Sequence, residues 1–449
     1  MAEIRPFRGI LYNTERVGGL ATVVGPPEDV RSREQAEAIV AGHPYHAVRL
    51  ETPDLGPVEC FGHAETCFRR WLEQGILTQS SRPAFYAHEH TFIYAGERRS
   101  RRGVFAALRL AEPEERIVLP HEGTLPHYVE LRTALLRQLQ ANLSAVYTLI
   151  ADQGKMAATM RQITAAPADI EGTDSEGGHH RIWEISGTAQ IWALRDAVAR
   201  QPLFIADGHH RYAAALAYRD ELLAAGLDPG PADWVLAYIA DATDLGILVL
   251  PIHRVVRGLG GRDWPGVRRC LERYFASDEL PLPPEPDAAT AIIEDALAEL
   301  GEQGGLPGYL LVAPGGERLL KLRLRDWAAV EPLMPPSAGP LASHLDVTVL
   351  DAVVLRHILG FDLTAIEEQI EFTRDPVAAY DAVRVGQAVF AALVRPTPLQ
   401  SLLTVARSGA RMPQKSTYFY PKIPIGLLMR DLCDLGEEER LQPTSAGRP

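Results

Sequence analysis

The stretch PLFIADGHHRYAAALAYRDE, residues 202–221, carries most of what the sequence says about the fold. The apolar run 203–206 has the length and flanks of a buried strand, and from 212 onward Ala213, Leu216, Ala217 and Leu223 recur at near-helical spacing. The spacing therefore predicts a strand, a short polar turn and a helix. The turn holds Asp207, Gly208, His209, His210 and Arg211. Asp207 is placed to cap the helix. The cations that follow oppose the positive end of the helix dipole, at a cost of a few tenths of a kcal/mol each. A bound anion offsets that cost, because the unpaired N–H groups of a first turn cradle negative oxygens. Arg211 adds a forked pair of donors for phosphate or carboxylate. His209 or His210, titrating near neutrality, can move a proton or donate to an oxyanion.

Working outward, strands and helices alternate. Helices are expected over 32–42, capped by Ser32, and over 64–77, 126–143, 188–201 and 289–300. Strands are expected over 145–150, 180–185, 233–241, 246–256, 309–313 and 318–324, with a β-hairpin turning near Gly96. The polar, Gly-containing segment 152–178 is expected to be a loop at least at its end. This is a mixed α/β (α+β) chain. Pro-rich breaks at 280–289 and 332–340 suggest seams. They give a core region 1–260, a small α/β insert 261–335, a C-terminal segment 336–435 that completes the site, and a disordered tail 436–449.

The 449 residues, 46% of them hydrophobic, suffice for more than one core. The balance of 45 basic against 58 acidic residues gives a net charge of −13, which disfavours nucleic acid and anionic membrane as partners. Cys60, Cys67, Cys270 and Cys433 form no CxxC pair, and the N-terminal MAEIRPFRGI has no apolar signal core. A cytoplasmic protein with free thiols and no membrane span is the expectation. Oligomeric state is not legible.

A second cluster is SGARMPQKSTYFYPKIPIG, residues 408–426. Residues 409–416 approach a phosphate-binding loop but carry Gln414 in place of its second glycine. Pro413 also lacks the N–H such a cradle uses. Lys415, Ser416, Thr417 and Lys422 still offer an anion contact among aromatics. Weaker candidates are His121 beside Glu122 in a Pro/Gly turn, as a proton-transfer or metal pair, and His253 with Arg254 at the end of a buried strand. HEH at 88–90 puts two histidines on one strand face, with no third ligand in sight to make a metal site. HHR at 179–181 reads as a surface strand start, and GERRSRR at 96–102 as a solvated hairpin tip. No GxGxxG, HExxH or GxSxG is present, so nucleotide oxidoreductases, zincins and serine hydrolases lack support.

The motifs EIRPFRGILYN, RWLEQGIL, LPHEGT, IADGHHRYAAAL, ILVLPIHRVV and MPQKSTYFYPK occur in the order found in the family known as domain of unknown function 1015, which the chain resembles from about residue 3 to 430. One departure is Glu28 in PPEDV, where that family has a tyrosine, and it bears on substrate choice. The strand–DGHHR–helix unit is also similar to the core of the ParB-like fold, which includes sulfiredoxin and the free-serine kinases. That similarity covers Asp207 to Arg211. It implies phosphoryl transfer on a small phosphorylated metabolite, serine/phosphoserine foremost, with water or a nucleotide (ATP, ADP or CTP) as second partner and Mg2+ as a candidate cofactor. Asp207 would orient a histidine or hold Mg2+, His210 would shuttle the proton, and Arg211 and Lys415 would hold phosphate oxygens. The rival expectation is a nucleotide-binding switch without turnover.

Overall fold

The computed structural model describes residues 1–27, 33–51, 61–302, 305–362 and 369–433. Ser32, Glu28 and the expected tail 436–449 lie outside the described residues. The architecture is mixed α/β, as expected. Contacts divide the chain into two compact units, one of residues 1–119, 124–248 and 421–449, the other of residues 120–123 and 249–420. Among the described residues no helix is long and apolar enough to cross a membrane.

The first unit is built on a mixed sheet of nine strands among the described residues. Its principal members are β1 (Phe85–Tyr94), β2 (Glu97–Arg109), β3 (Val146–Ile150), β4 (Ile170–Thr173), β5 (His179–Ile185), β6 (Leu203–Asp207) and β7 (Trp234–Asp241). They lie in the order β6–β3–β7–β2–β1–β5–β4. The β1–β2 hairpin turns where expected, with Ala95 at φ 49° and Gly96 at φ 77°, the handedness that a tight hairpin requires.

Side chains alternate between faces along each strand. One face packs Phe85, Ala87, Val104, Ala106, Trp183 and Ile205 against flanking helices in a single apolar core. The alternate positions carry Tyr86, His88, His90, Arg101, Tyr147, His180 and Tyr238, all of them buried. This sheet thus has one greasy face and one buried polar face. Two helices matter for the site: α1 (Pro126–Leu139) and α2 (His209–Ala224).

The sequence placed other elements with small differences. The helix expected over 64–77 runs Phe61–Glu73 and stops before Gly75, whose φ of 66° breaks it, and Leu77–Gln79 is a strand. Segment 152–178 opens with a helix, Lys155–Ile163, and β4 before its terminal turn. The expected strand 246–256 is two pieces, Leu248–Leu250 and His253–Val256, with Pro251 between them. Cys67, Cys270 and Cys433 are free thiols.

The second unit has a six-stranded antiparallel sheet. Its strands are β8 (His253–Val256), β9 (Phe275–Pro281), β10 (Gly308–Val312), β11 (Arg318–Leu324), β12 (Ile370–Thr373) and β13 (Phe390–Leu393), in the order β9–β11–β10–β13–β8–β12. Val255, Leu310 and Val312 face one core, with Ile293 and Tyr380 of its covering helices. Val256, Tyr309 and Leu311 face the other, with Leu271 and Val354.

Candidate functional site

In the first unit, β6 runs through Asp207 and α2 begins at His209, three residues earlier than the periodicity suggested. Gly208 occupies the N-cap position in left-handed conformation, φ 88° and ψ 31°. No side chain caps this helix. The expected Asp207 cap is therefore replaced by ion pairing. One Asp207 oxygen accepts from Arg211 Nη2 at 2.5 Å and the other from Lys422 Nζ. Gly208, which has no side chain to act as a cap, makes the turn into the helix.

His209 is buried in the first turn. His210 Nε2 accepts from the backbone N–H of Leu125 at 3.1 Å, and its ring lies edge-on to Tyr128 at 5.3 Å. Leu125 is the N-cap of α1, so this histidine ties the mouths of the two helices together. Because Nε2 accepts, the neutral ring carries its proton on Nδ1.

Behind the first turn lies a cavity of roughly 50 Å³, lined by Glu51, Arg132, Ser144, Asn142, Arg211 and apolar residues of α1 and α2. Arg132 Nη1 donates to Glu51 Oε1 at 2.8 Å, and Ser144 Oγ to the same oxygen at 3.3 Å. Burial, and then the like charge of Arg211, push the Arg132 guanidinium pKa down. Arg211 Nη1 is buried without a hydrogen-bond partner. Arg132 and Glu51 escaped the sequence reading. A signal for Arg132 was present, because it stands at helical spacing with Leu135, Leu136 and Leu139 on a face that should be apolar.

The other candidates fall in the second unit. Glu122 Oε1 accepts from the backbone N–H groups of Ser416 and Thr417, each at 3.2 Å, and from Thr417 Oγ1 at 3.1 Å. Those amides, the donors an anion would use at this turn, are thus occupied by the chain's own carboxylate. His121, fully buried, contacts Thr417 Oγ1 at 3.0 Å. Lys415 sits at φ 54°. His253 Nδ1 accepts from Val394 N–H at 3.3 Å, and burial pushes its pKa down to about 3. Arg254 is fully buried, faces Asp351 at 3.4 Å and lies over Phe372. Both residues belong to β8, whose backbone pairs with β12 on one side and β13 on the other.

The histidines of HEH and HHR come together in the first unit. β1 and β5 pair antiparallel with His90 opposite His180. His180 is fully buried, which corrects the surface reading of that stretch. Among the described residues, His90, His180 and Asp174 are the group whose ligand atoms lie close enough to share a metal, within 4.8 Å of one another.

The chain belongs to the family described as Protein of unknown function (DUF1015), whose model matches residues 4–348. The match stops short of the MPQKSTYF stretch at 412–419. No curated protein matches. Among solved structures, the chain is similar to a conserved hypothetical protein from Pyrococcus furiosus, at 14% identity and a TM-score of 0.37, covering 74% of this chain and 97% of that one. It is similar to a free serine kinase in complex with AMP, at 14% identity and a TM-score of 0.37, covering 72% and 92%. It is also similar to C-terminally truncated SbnI from Staphylococcus aureus, at 11% identity and a TM-score of 0.37, covering 74% and 89%.

Proposed function

We propose that this DUF1015 protein transfers a phosphoryl group to or from a small metabolite, with serine and phosphoserine as the pair to test first and ATP, ADP, CTP or water as the second partner. The observation that carries the reading is the charge at the mouth of α2. Arg132, Arg211 and Lys422 stand there with Asp207 and Glu51, and among the described residues one buried Arg211 nitrogen lacks a hydrogen-bond partner. A phosphate supplies an acceptor for that nitrogen and a counter-charge for the cations. The cavity has room for a few water-sized bodies, enough for a phosphate group.

The reaction follows from competition for the cations. An incoming phosphate draws Arg211 and Lys422 away from Asp207. The substrate hydroxyl then attacks phosphorus, the bond from phosphorus to the leaving oxygen breaks, and the hydroxyl proton passes to the released Asp207 carboxylate. Arg132, Arg211 and Lys422 stabilise the charge on the transferring group, which is most of what such a transfer needs. His210 takes a positioning role, because its Nε2 holds the α1 mouth.

The test is phosphorus NMR on the full-length protein with Mg2+, given phosphoserine alone, phosphoserine with ADP, and serine with each nucleotide. Turnover is expected in at least one mixture. Asp207→Asn should cut it by about a hundredfold or more while phosphate binding tightens, because the competing carboxylate charge is gone. Arg211→Met should weaken phosphate binding by about tenfold or more. Tight nucleotide binding with no turnover in any mixture would favour the switch reading. No binding of any phosphorylated ligand would sink both.

A further inference from the structure

We propose that His90, His180 and Asp174 form a binding site for one transition-metal dication of the zinc class, placed in the polar face of the first unit's sheet. The reading rests on how each ligand is held. Asp174 closes a turn in which Oδ1 accepts from the backbone N–H groups of Glu176 at 2.9 Å and Gly178 at 2.7 Å. Its other oxygen, Oδ2, is turned to the histidines, 2.9 Å from His180 Nε2 and 3.7 Å from His90 Nε2. Two ligands at about 2.0–2.1 Å from a tetrahedral ion stand roughly 3.3 Å apart, a value these two distances bracket.

His90 supplies the second, independent observation. It is 2% exposed, and neither of its ring nitrogens has a hydrogen-bond partner. Buried imidazole nitrogens are rarely left so. A metal shared with His180 and Asp174 gives Nε2 its partner. His180 is also oriented from behind, with Nδ1 2.9 Å from His88 Nε2, the outer contact that fixes the ring of a metal-bound histidine. The turn makes the space. A Cβ at Gly178 would collide with His90 Nε2 and stand 2.7 Å from Asp174 Oδ2.

Two imidazoles and one carboxylate select zinc-like ions over Mg2+ or Ca2+, which prefer all-oxygen shells. Asp174, at 10% side-chain exposure, is the most exposed of the three ligands. Arg101 acts against the ion through its charge. That guanidinium is engaged with the Pro421 carbonyl and stacked over Tyr147 and Tyr238, at 5.0 and 5.4 Å. The bound ion would clamp the 174–178 turn to β1 and β5. This site does not depend on the phosphoryl-transfer reading.

The experiment uses full-length protein stripped with a chelator and titrated with Zn2+ by calorimetry and with Co2+ by visible absorption. One equivalent should bind, Co2+ should give the strong bands of tetrahedral coordination, and Zn2+ should raise Tm. His90→Gln and Asp174→Asn, each checked for folding by circular dichroism, should lose about tenfold or more in affinity. His344→Ala, an exposed histidine of the other unit, should bind like the parent. Absence of saturable one-to-one binding in the parent, or equal affinity in a folded His90→Gln protein, would overturn the proposal.

Discussion

Lys415 is one of five non-glycine residues with positive φ among the described residues, and its backbone stands at 54°. An L-residue pays roughly 1 kcal/mol for that region. The turn accepts the strain because Glu122 gathers the next two amides and the Thr417 hydroxyl onto one oxygen. Lys415→Gly should therefore raise stability by about 1 kcal/mol, read as a higher urea midpoint with an unchanged slope. A lower midpoint would mean that contacts of the lysine side chain outweigh the strain. Glu122→Gln should lower the midpoint, because the charged acceptor of three hydrogen bonds is replaced by a neutral one.

The start of α2 joins backbone geometry to the proposed chemistry. Gly208 at φ 88° reverses the chain between β6 and the helix, and a Cβ there would stand 2.8 Å from Arg211 Nε. Gly208→Ala should cost about 1 kcal/mol in stability and, by displacing Arg211, weaken phosphate binding. Calorimetry with inorganic phosphate on folded protein checks the second half, and an unchanged affinity would detach Arg211 from anion binding. The strand–turn–helix unit itself was legible, because an apolar run followed by a helical repeat leaves little choice. The use of Asp207 was not. A residue in that place caps a helix or pairs with a cation according to what lies nearby, and Lys422 is 215 positions away in sequence.

For the whole molecule, burial of neutral histidine couples stability to pH. His253 has a pKa of about 3 in the folded protein, against roughly 6.5 in an unfolded chain. Between those values the unfolded state binds the extra proton, so the stability due to the neutral ring is complete above about pH 6.5 and is lost as pH falls toward 3. By pH 5 the loss amounts to about 2 kcal/mol. A His253→Asn variant keeps an acceptor for Val394 N–H and does not titrate. Between pH 8 and pH 5 it should lose about 2 kcal/mol less than the parent in urea unfolding. Parallel losses in both proteins would show that this histidine already carries its proton in the fold. Burial desolvates His88, His90 and His180 as well and lowers their pKa values, so the parent should be acid-sensitive through both units.

The sequence by itself determined most element types, the mixed α/β class and the strand–turn–helix unit around Gly208, because hydrophobic period and local turn chemistry act over a few residues. The tertiary structure alone decided which polar groups meet. His90 faces His180 only through the β1–β5 register, Asp207 meets Lys422 only when the C-terminal segment returns to the first unit, and Arg132 reaches Glu51 only when α1 packs. Register and packing are set by the burial of whole faces, summed over many distant residues. No window of sequence holds that sum.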